Sequence, residues 1–200
     1  MMEALPSPRL MATHMQHSLL PASISKSGDC KIIYICREPK DALVSLWHYT
    51  RRFRPNLSFA ELFEHACEGV SHSGPIWDHV LGYWNASKES PETVLFMRYE
   101  QVLHDPASNV RKIAQFVGQP FSAAEEKDGA VMDIVTLCSF DKQKNLEVNK
   151  AGSTSSHYAN DWYFRKGEVG DWANHMTSEM ARRLDAIVEE KIRGSGLSFE

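Results

Sequence analysis

The sequence predicts an α/β fold, a parallel sheet flanked by helices, and three features lead to it. Two short runs, Lys31 to Cys36 (KIIYIC) and Thr93 to Arg98 (TVLFMR), are apolar, β-branched or aromatic, and do not alternate with polar residues, as expected of strands buried on both faces. Stretches of helical periodicity separate and follow them. A strand, helix, strand, helix order requires right-handed crossovers and puts ligands at the carboxyl ends of the strands.

In chain order, Arg9 to His14 (RLMATH) is a third candidate strand, bounded by Pro8 and by a turn at Pro21. Lys26-Ser27-Gly28 resembles part of a phosphate loop, but it precedes a strand, whereas a phosphate cradle follows one and opens a helix, so it reads as the turn entering the strand. After KIIYIC, Pro39 opens a helix in which Ala42, Leu43, Leu46, Trp47 and Tyr49 keep helical spacing to about Phe53. Ser58 and Glu61 form a capping box ahead of Leu62, Phe63 and Ala66. Ile76, Trp77, Val80, Leu81 and Trp84 make another stripe, which ends before Pro91. Asp105 and Pro106 start a helix carrying Val110, Ile113, Phe116 and Val117, closed by Gly118. Thr177 caps a last helix with Met180, Leu184, Ile187 and Val188, stopped at Gly194. Between Phe121 and Phe164 the periodicity loosens, and Asp141 to Lys144 and Ala151 to Ser156 read as surface loop.

A chain of 200 residues with 42% hydrophobic and 24% charged side chains is one ordinary globular domain, which excludes wholesale disorder. Its 22 Lys and Arg against 26 Asp and Glu give a net charge of -4, so no global positive field holds a nucleic acid or an anionic membrane, and any anion site is local. No run approaches the ~20 apolar residues of a membrane span, and the first twenty residues fit neither a secretory signal nor a transit peptide, so a cytoplasmic protein is expected. Cys30, Cys36, Cys67 and Cys138 have no paired spacing and read as reduced thiols. No heptad seam marks an oligomer.

Three constellations could carry chemistry. In Cys36-Arg37-Glu38-Pro39-Lys40-Asp41, followed by Ser45, a strand end delivers a guanidinium where a helix opens, and an oxyanion there would meet Arg37, the helix N-terminal field and the Ser45 hydroxyl. The alternative pairs Arg37 with Glu38 or Asp41 on the surface. In Trp162-Tyr163-Phe164-Arg165-Lys166-Gly167-Glu168-Val169-Gly170-Asp171-Trp172, adjacent cations and two glycines also suit a phosphate, and a solvated turn anchored by Trp162 and Trp172 would look similar. In Ala12-Thr13-His14, a histidine at the end of a strand is placed to act as a base near neutral pH, with His17 as a competing neighbour. His65, His72 and His79 recur every seven residues, but Gly69, Gly74 and Pro75 interrupt any helix that could align them, so no metal site is expected.

RLMATH, KIIYICREPKDALVSLWHY, TVLFMRYE and FRKGEVGDW, in this order, resemble the cytosolic sulfotransferases, especially those of plants, over nearly the whole chain. The resemblance implies a P-loop-kinase-like parallel sheet, and transfer of a sulfonate from 3′-phosphoadenosine 5′-phosphosulfate to a hydroxyl of a small, mostly apolar acceptor of the flavonoid, steroid or hormone class, with no metal. It implies His14 as the catalytic base. Arg37, Ser45, Arg165, Lys166 and Gly167 would hold the donor's 3′-phosphate, with Tyr99 against the adenine and Phe140 stacking near it. Many members carry Lys before the Thr-His pair, where this chain has Ala12, so that lysine's role does not transfer.

In the family a strand and a Pro-Lys-Ser-Gly-Thr-Thr-Trp phosphate loop lie well upstream of the catalytic histidine. Only thirteen residues precede His14 here and none match that loop, so the resemblance implies an N-terminally truncated, partial domain over residues 1–200. Losing one oxyanion donor typically costs ~10²- to 10³-fold in rate, and losing a loop of them costs more, so little turnover is expected of this chain. The alternative expectation is an inactive fragment or pseudoenzyme that at most binds the 3′-phosphoadenosine half of the donor. A P-loop kinase or NTPase is excluded by the lack of G-x-x-x-x-G-K-[ST].

Overall fold

The computed structural model describes residues 7–71, 73–153 and 158–199. Among these residues the sheet has two strands, β1 (Ile32–Cys36) and β2 (Val94–Arg98), paired in parallel with Ile32 opposite Val94 and Cys36 opposite Arg98. A one-turn helix, α1 (Ala22–Ser25), precedes β1, and the crossover to β2 runs through α2 (Pro39–Thr50), α3 (Phe59–Cys67) and α4 (Ile76–Glu89). Each of these helices begins where its sequence signals a start. The Glu38 carboxylate accepts from Asp41 N at 3.0 Å with Pro39 at the first position of α2, and Ser58 Oγ accepts from Glu61 N at 3.1 Å at α3. The reciprocal half of the expected Ser58–Glu61 capping box is not seen: Glu61 turns to Arg54 instead, at 3.8 Å.

The core lies between this crossover and the last helix, α11 (Ser178–Ile192). Phe63, Val44, Trp77, Val80, Leu184, Val188 and Ile192 are buried together, joined by Cys36 from the end of β1. A smaller cluster, Tyr83, Ala86 and Val94, packs on Tyr34, whose ring stacks on Tyr83 at 4.1 Å.

Three expectations are corrected. Arg9 to His14 is not a strand: among the described residues it pairs with none, and the carbonyls of His14 and Met15 are tied down by side chains of α4. Of the two strands expected to be buried on both faces, β2 is largely buried, whereas β1 buries alternate residues and leaves Ile33 36% and Ile35 52% exposed. After β2 come α5 (Tyr99–His104) and α6 (Pro106–Phe116), the latter the helix expected from Asp105 and Pro106, whereas the region read as loop is mostly short helix: α7 (Ala123–Lys127), α8 (Ala130–Leu137), α9 (Phe140–Lys144) and α10 (Glu147–Ala151). Asp141 to Lys144 therefore lies within a helix. Ser122 and Ser139 start α7 and α9 by accepting from Glu125 N and Lys142 N, both at 3.3 Å. These helices bury little beyond Val131; α7 and α9 are set by their serine caps, whereas α8 begins after Gly129 and α10 after Leu146 with no side-chain cap. Part of the expected loop from Ala151 to Ser156 lies outside the described residues, as does His72.

Candidate active site

The carboxyl end of β1 is where the sequence placed an anion site, and two distant segments of the chain meet there. Arg37 leaves the strand end, stacks its guanidinium 4.8 Å from the centre of the Tyr99 ring, donates to the Glu168 carbonyl and lies 3.4 Å from the Asp41 carboxylate. The pairing with Asp41 thus exists, yet it does not saturate Arg37, whose Nε is buried with no hydrogen-bond partner. Asp41 itself is 1% exposed, and its carboxylate accepts from Gly170 N at 2.7 Å and Trp172 N at 2.9 Å. It therefore clasps the second motif onto the start of α2.

The second motif is organised by Asp171, buried at 4% exposure. Arg165 donates to its carboxylate at 2.6 Å, Asn174 Nδ2 at 3.0 Å, and the Lys166 ammonium also reaches it. Burial pushes this carboxyl up, but the bonds from Lys166, Asn174 and Arg165 more than offset that and hold it well below the usual carboxylate range. Gly167 has φ +70°, and a Cβ there would sit 2.5 Å from Phe140 Cδ2, so both conformation and close approach call for glycine. The segment is a clasped loop, not a solvated turn. Asp171 and Asp41 both stood in the quoted motifs. Their signal was a carboxylate inside a cationic run, which marks a partner that holds those cations in place.

His14 is exposed and is presented by its backbone. Its carbonyl accepts from His79 Nε2 at 3.1 Å, His79 Nδ1 accepts from the Tyr34 hydroxyl at 3.0 Å, and the next carbonyl, Met15, accepts from the Tyr83 hydroxyl at 2.8 Å. Gln16 Nε2 adds a bond to Ser73 O at 3.0 Å. His79, singled out only as one of three recurring histidines, is thus an anchor of the His14 segment.

His14, Arg37, Ser45, Arg165 and Lys166 line one cleft of about 1180 Å³. Tyr99, Phe140 and Gly167 do not line it but stand directly behind: Tyr99 under Arg37, and Phe140 against Gly167 and 6.0 Å from Phe164. His48, which sequence reasoning missed, also lines the cleft, with its Nε2 3.5 Å from His175 Nε2. Burial, with Arg165 and His175 nearby, lowers the His48 pKa to about 4, so its ring is neutral. His48, Asp171 and His175 bring one potential ligand atom each within 4.8 Å of one another. The only carboxylate of that trio is committed to Arg165 and Lys166, so these residues serve as a hydrogen-bonded clasp on the loop.

Comparison with known proteins gives this geometry a family. The sulfotransferase domain model matches residues 1–196. Cytosolic sulfotransferase 1 of Arabidopsis thaliana is 45% identical over 197 residues, which are 96% of this chain and 59% of that protein. Flavonol 4′-sulfotransferase of Flaveria chlorifolia is 45% identical over 193 residues, 94% of this chain and 60% of that protein. A mouse sulfotransferase solved in complex with PAP superposes with a TM-score of 0.80 at 32% identity, covering 97% of this chain and 69% of that one. The chain thus spans about three fifths of the length of the curated relatives it matches, 59% and 60% for these two. With the match extending over residues 1–196 and the fold shared, the chain belongs to the sulfotransferase domain family and has its P-loop-kinase-like α/β fold.

Proposed function

We propose that residues 1–200 form a partial sulfotransferase domain that serves transfer of a sulfonate group from 3′-phosphoadenosine 5′-phosphosulfate to a hydroxyl of a small acceptor of the flavonoid, steroid or hormone class. The observation that carries this reading is the convergence of His14, Arg37, Ser45, Arg165 and Lys166 on one cleft from three separate parts of the chain. Three cationic side chains of the two basic motifs, Arg37, Arg165 and Lys166, line that cleft with Ser45, and among the described residues no carboxylate lines it, although the chain carries a net charge of -4. Such a lining suits a phosphorylated donor, because charge-assisted bonds to phosphate are the stronger class of hydrogen bond. The buried, unpartnered Nε of Arg37 is one donor left for it.

In this reading Arg37, Ser45, Arg165, Lys166 and the Gly167 backbone hold the 3′-phosphate, and the adenine is assigned to the aromatic faces of Tyr99 and Phe140. His14 takes the proton from the acceptor hydroxyl, whose oxygen bonds to sulfur as the bond from sulfur to the bridging phosphate oxygen breaks. The electron pair stays on the departing 3′-phosphoadenosine 5′-phosphate, and the proton goes to the His14 imidazole as general base. The names of the relatives support a hydroxylated aromatic acceptor and a cytosolic site of action. Among the described residues no helix is long and apolar enough to cross a membrane.

The test is a sulfonation assay with radiolabelled donor and a panel of hydroxylated aromatics. Turnover that disappears in His14→Ala while 3′-phosphoadenosine 5′-phosphate still binds supports the full reading. Binding without turnover, lost in Arg165→Ala, supports the narrower one in which the chain holds only the donor's 3′-phosphoadenosine half. Neither binding nor turnover refutes both.

A further inference from the structure

The cleft carries more positive charge than the assigned phosphate site uses. Arg37, Arg165 and Lys166 belong to the cradle and are bonded to Asp41, Asp171 or the Glu168 carbonyl. Arg51 and Arg52 line the same cleft but lie just beyond the end of α2, whose last residue, Thr50, is five residues past Ser45, about 7.5 Å along the axis. Both are exposed and neither has a carboxylate partner among the described residues, whereas Arg54, two residues on, pairs with Glu61. Instead each guanidinium lies over an indole, Arg51 4.6 Å from the Trp47 ring centre and Arg52 5.8 Å from that of Trp162.

Beside them the cleft is lined by Tyr49, Trp162 and Tyr163, and Phe53 and Tyr158 pack against Trp162 at its margin. Trp162 stacks on Tyr158 at 5.7 Å and lies 5.9 Å from Phe53, and Tyr49 lies 5.7 Å from Tyr163. Phe53 is 43% and Tyr163 53% exposed, so a flat apolar ligand laid on these rings would remove a substantial apolar surface from water. Two unpaired guanidiniums next to exposed ring faces match a molecule that is both planar and anionic, since a guanidinium recognises a carboxylate or sulfo group through paired N–H donors.

We propose that the acceptor bound by this chain is a planar aromatic alcohol bearing a fixed oxyanion, which Arg51 and Arg52 hold at the outer end of the cleft while the hydroxyl is the group offered to His14. This deepens the sulfonate-transfer reading and rests on it for the identity of the reacting hydroxyl. The oxyanion site itself stands on Arg51, Arg52 and the aromatic wall.

Calorimetric titration of the chain, with 3′-phosphoadenosine 5′-phosphate in excess, would compare 2-naphthol, 6-hydroxy-2-naphthoate and 6-hydroxynaphthalene-2-sulfonate. At least one anion is expected to bind about tenfold tighter than 2-naphthol, the size of one charge-assisted contact. A gain for the naphthoate alone identifies a carboxylate as the preferred group, and a gain for the sulfonate alone a sulfo group. Arg51→Gln/Arg52→Gln should abolish the gain and leave 2-naphthol and nucleotide affinities unchanged, whereas Arg51→Lys/Arg52→Lys should keep most of it. The proposal is overturned if neither anion outbinds 2-naphthol, if the gain survives the Gln pair, or if the nucleotide competes the anions off, which would put them in the phosphate cradle. Nucleotide binding without an anion gain would remove this proposal and leave the donor reading intact. An anion gain lost in the Gln pair, in a chain that does not bind the nucleotide, would do the reverse.

Discussion

Replacing Asp171 with Asn tests whether one buried charge organises the basic loop. The substitution keeps the shape and one acceptor oxygen but removes the charge that Arg165 and Lys166 meet at the carboxylate, whose side chain is 1% exposed. Charge-assisted hydrogen bonds contribute about 1.5–3 kcal/mol each when well buried. Here the two cations are 25% and 42% exposed, so water takes back part of what each loses. About 1 kcal/mol per bond is a reasonable discount, giving a loss of about 2 kcal/mol. At about 2–4 °C per kcal/mol for a domain of this size, Asp171→Asn should lower the unfolding midpoint by about 4–8 °C at pH 7. Circular dichroism melts of the two proteins in one buffer would measure it. A midpoint within a degree of wild type would show that the loop is held by Asp41 and the Trp172 packing alone, and the assigned role of the carboxylate would be wrong.

Other perturbations probe separate parts of the account. Gly167→Ala forces a methyl to within 2.5 Å of Phe140 at φ +70°, and should cost about 1–3 kcal/mol in the same melts. Phe63→Ala empties a site that is 1% exposed in the main core and should cost about 3–5 kcal/mol by chemical denaturation. His48 supplies the pH dependence: its folded pKa, lowered to about 4, lies below the ordinary value near 6.5, so the unfolded chain binds the extra proton first. Its contribution to stability is therefore intact above pH 6.5, falls as the pH drops from about 6.5 to about 4, and levels off below that, and His48→Gln should flatten that part of the stability profile.

What the sequence revealed follows from the range over which each signal acts. KIIYIC and TVLFMR read as parallel strands because buried apolar runs without alternation are a local pattern, and they are β1 and β2. Arg9 to His14 has the same β-like composition, yet what decides its conformation is tertiary: side chains of His79 and Tyr83, more than sixty residues away, take up the carbonyls of His14 and Met15. The short helices α7 to α10 bury little, and only α7 and α9 are announced by serine caps, Ser122 and Ser139. The two basic motifs could each be read as a candidate anion site, one at a time. Their meeting was not, because it depends on Asp41 bonding to the backbone of Gly170 and Trp172 across about 130 residues, a contact no local spacing encodes.

The central claim is that Arg37, Ser45, Arg165 and Lys166 form an assembled phosphate cradle, and titrating 3′-phosphoadenosine 5′-phosphate into the chain while following thermal unfolding tests it most directly. A ligand that binds only the folded state adds about 2.7 kcal/mol of stability at a hundred times its dissociation constant. A cooperative transition that moves up with ligand in wild type, and does not move in Arg37→Ala or Arg165→Ala, is the predicted result. An unfolding curve indifferent to the nucleotide, or one shifted equally in the two variants, would contradict it.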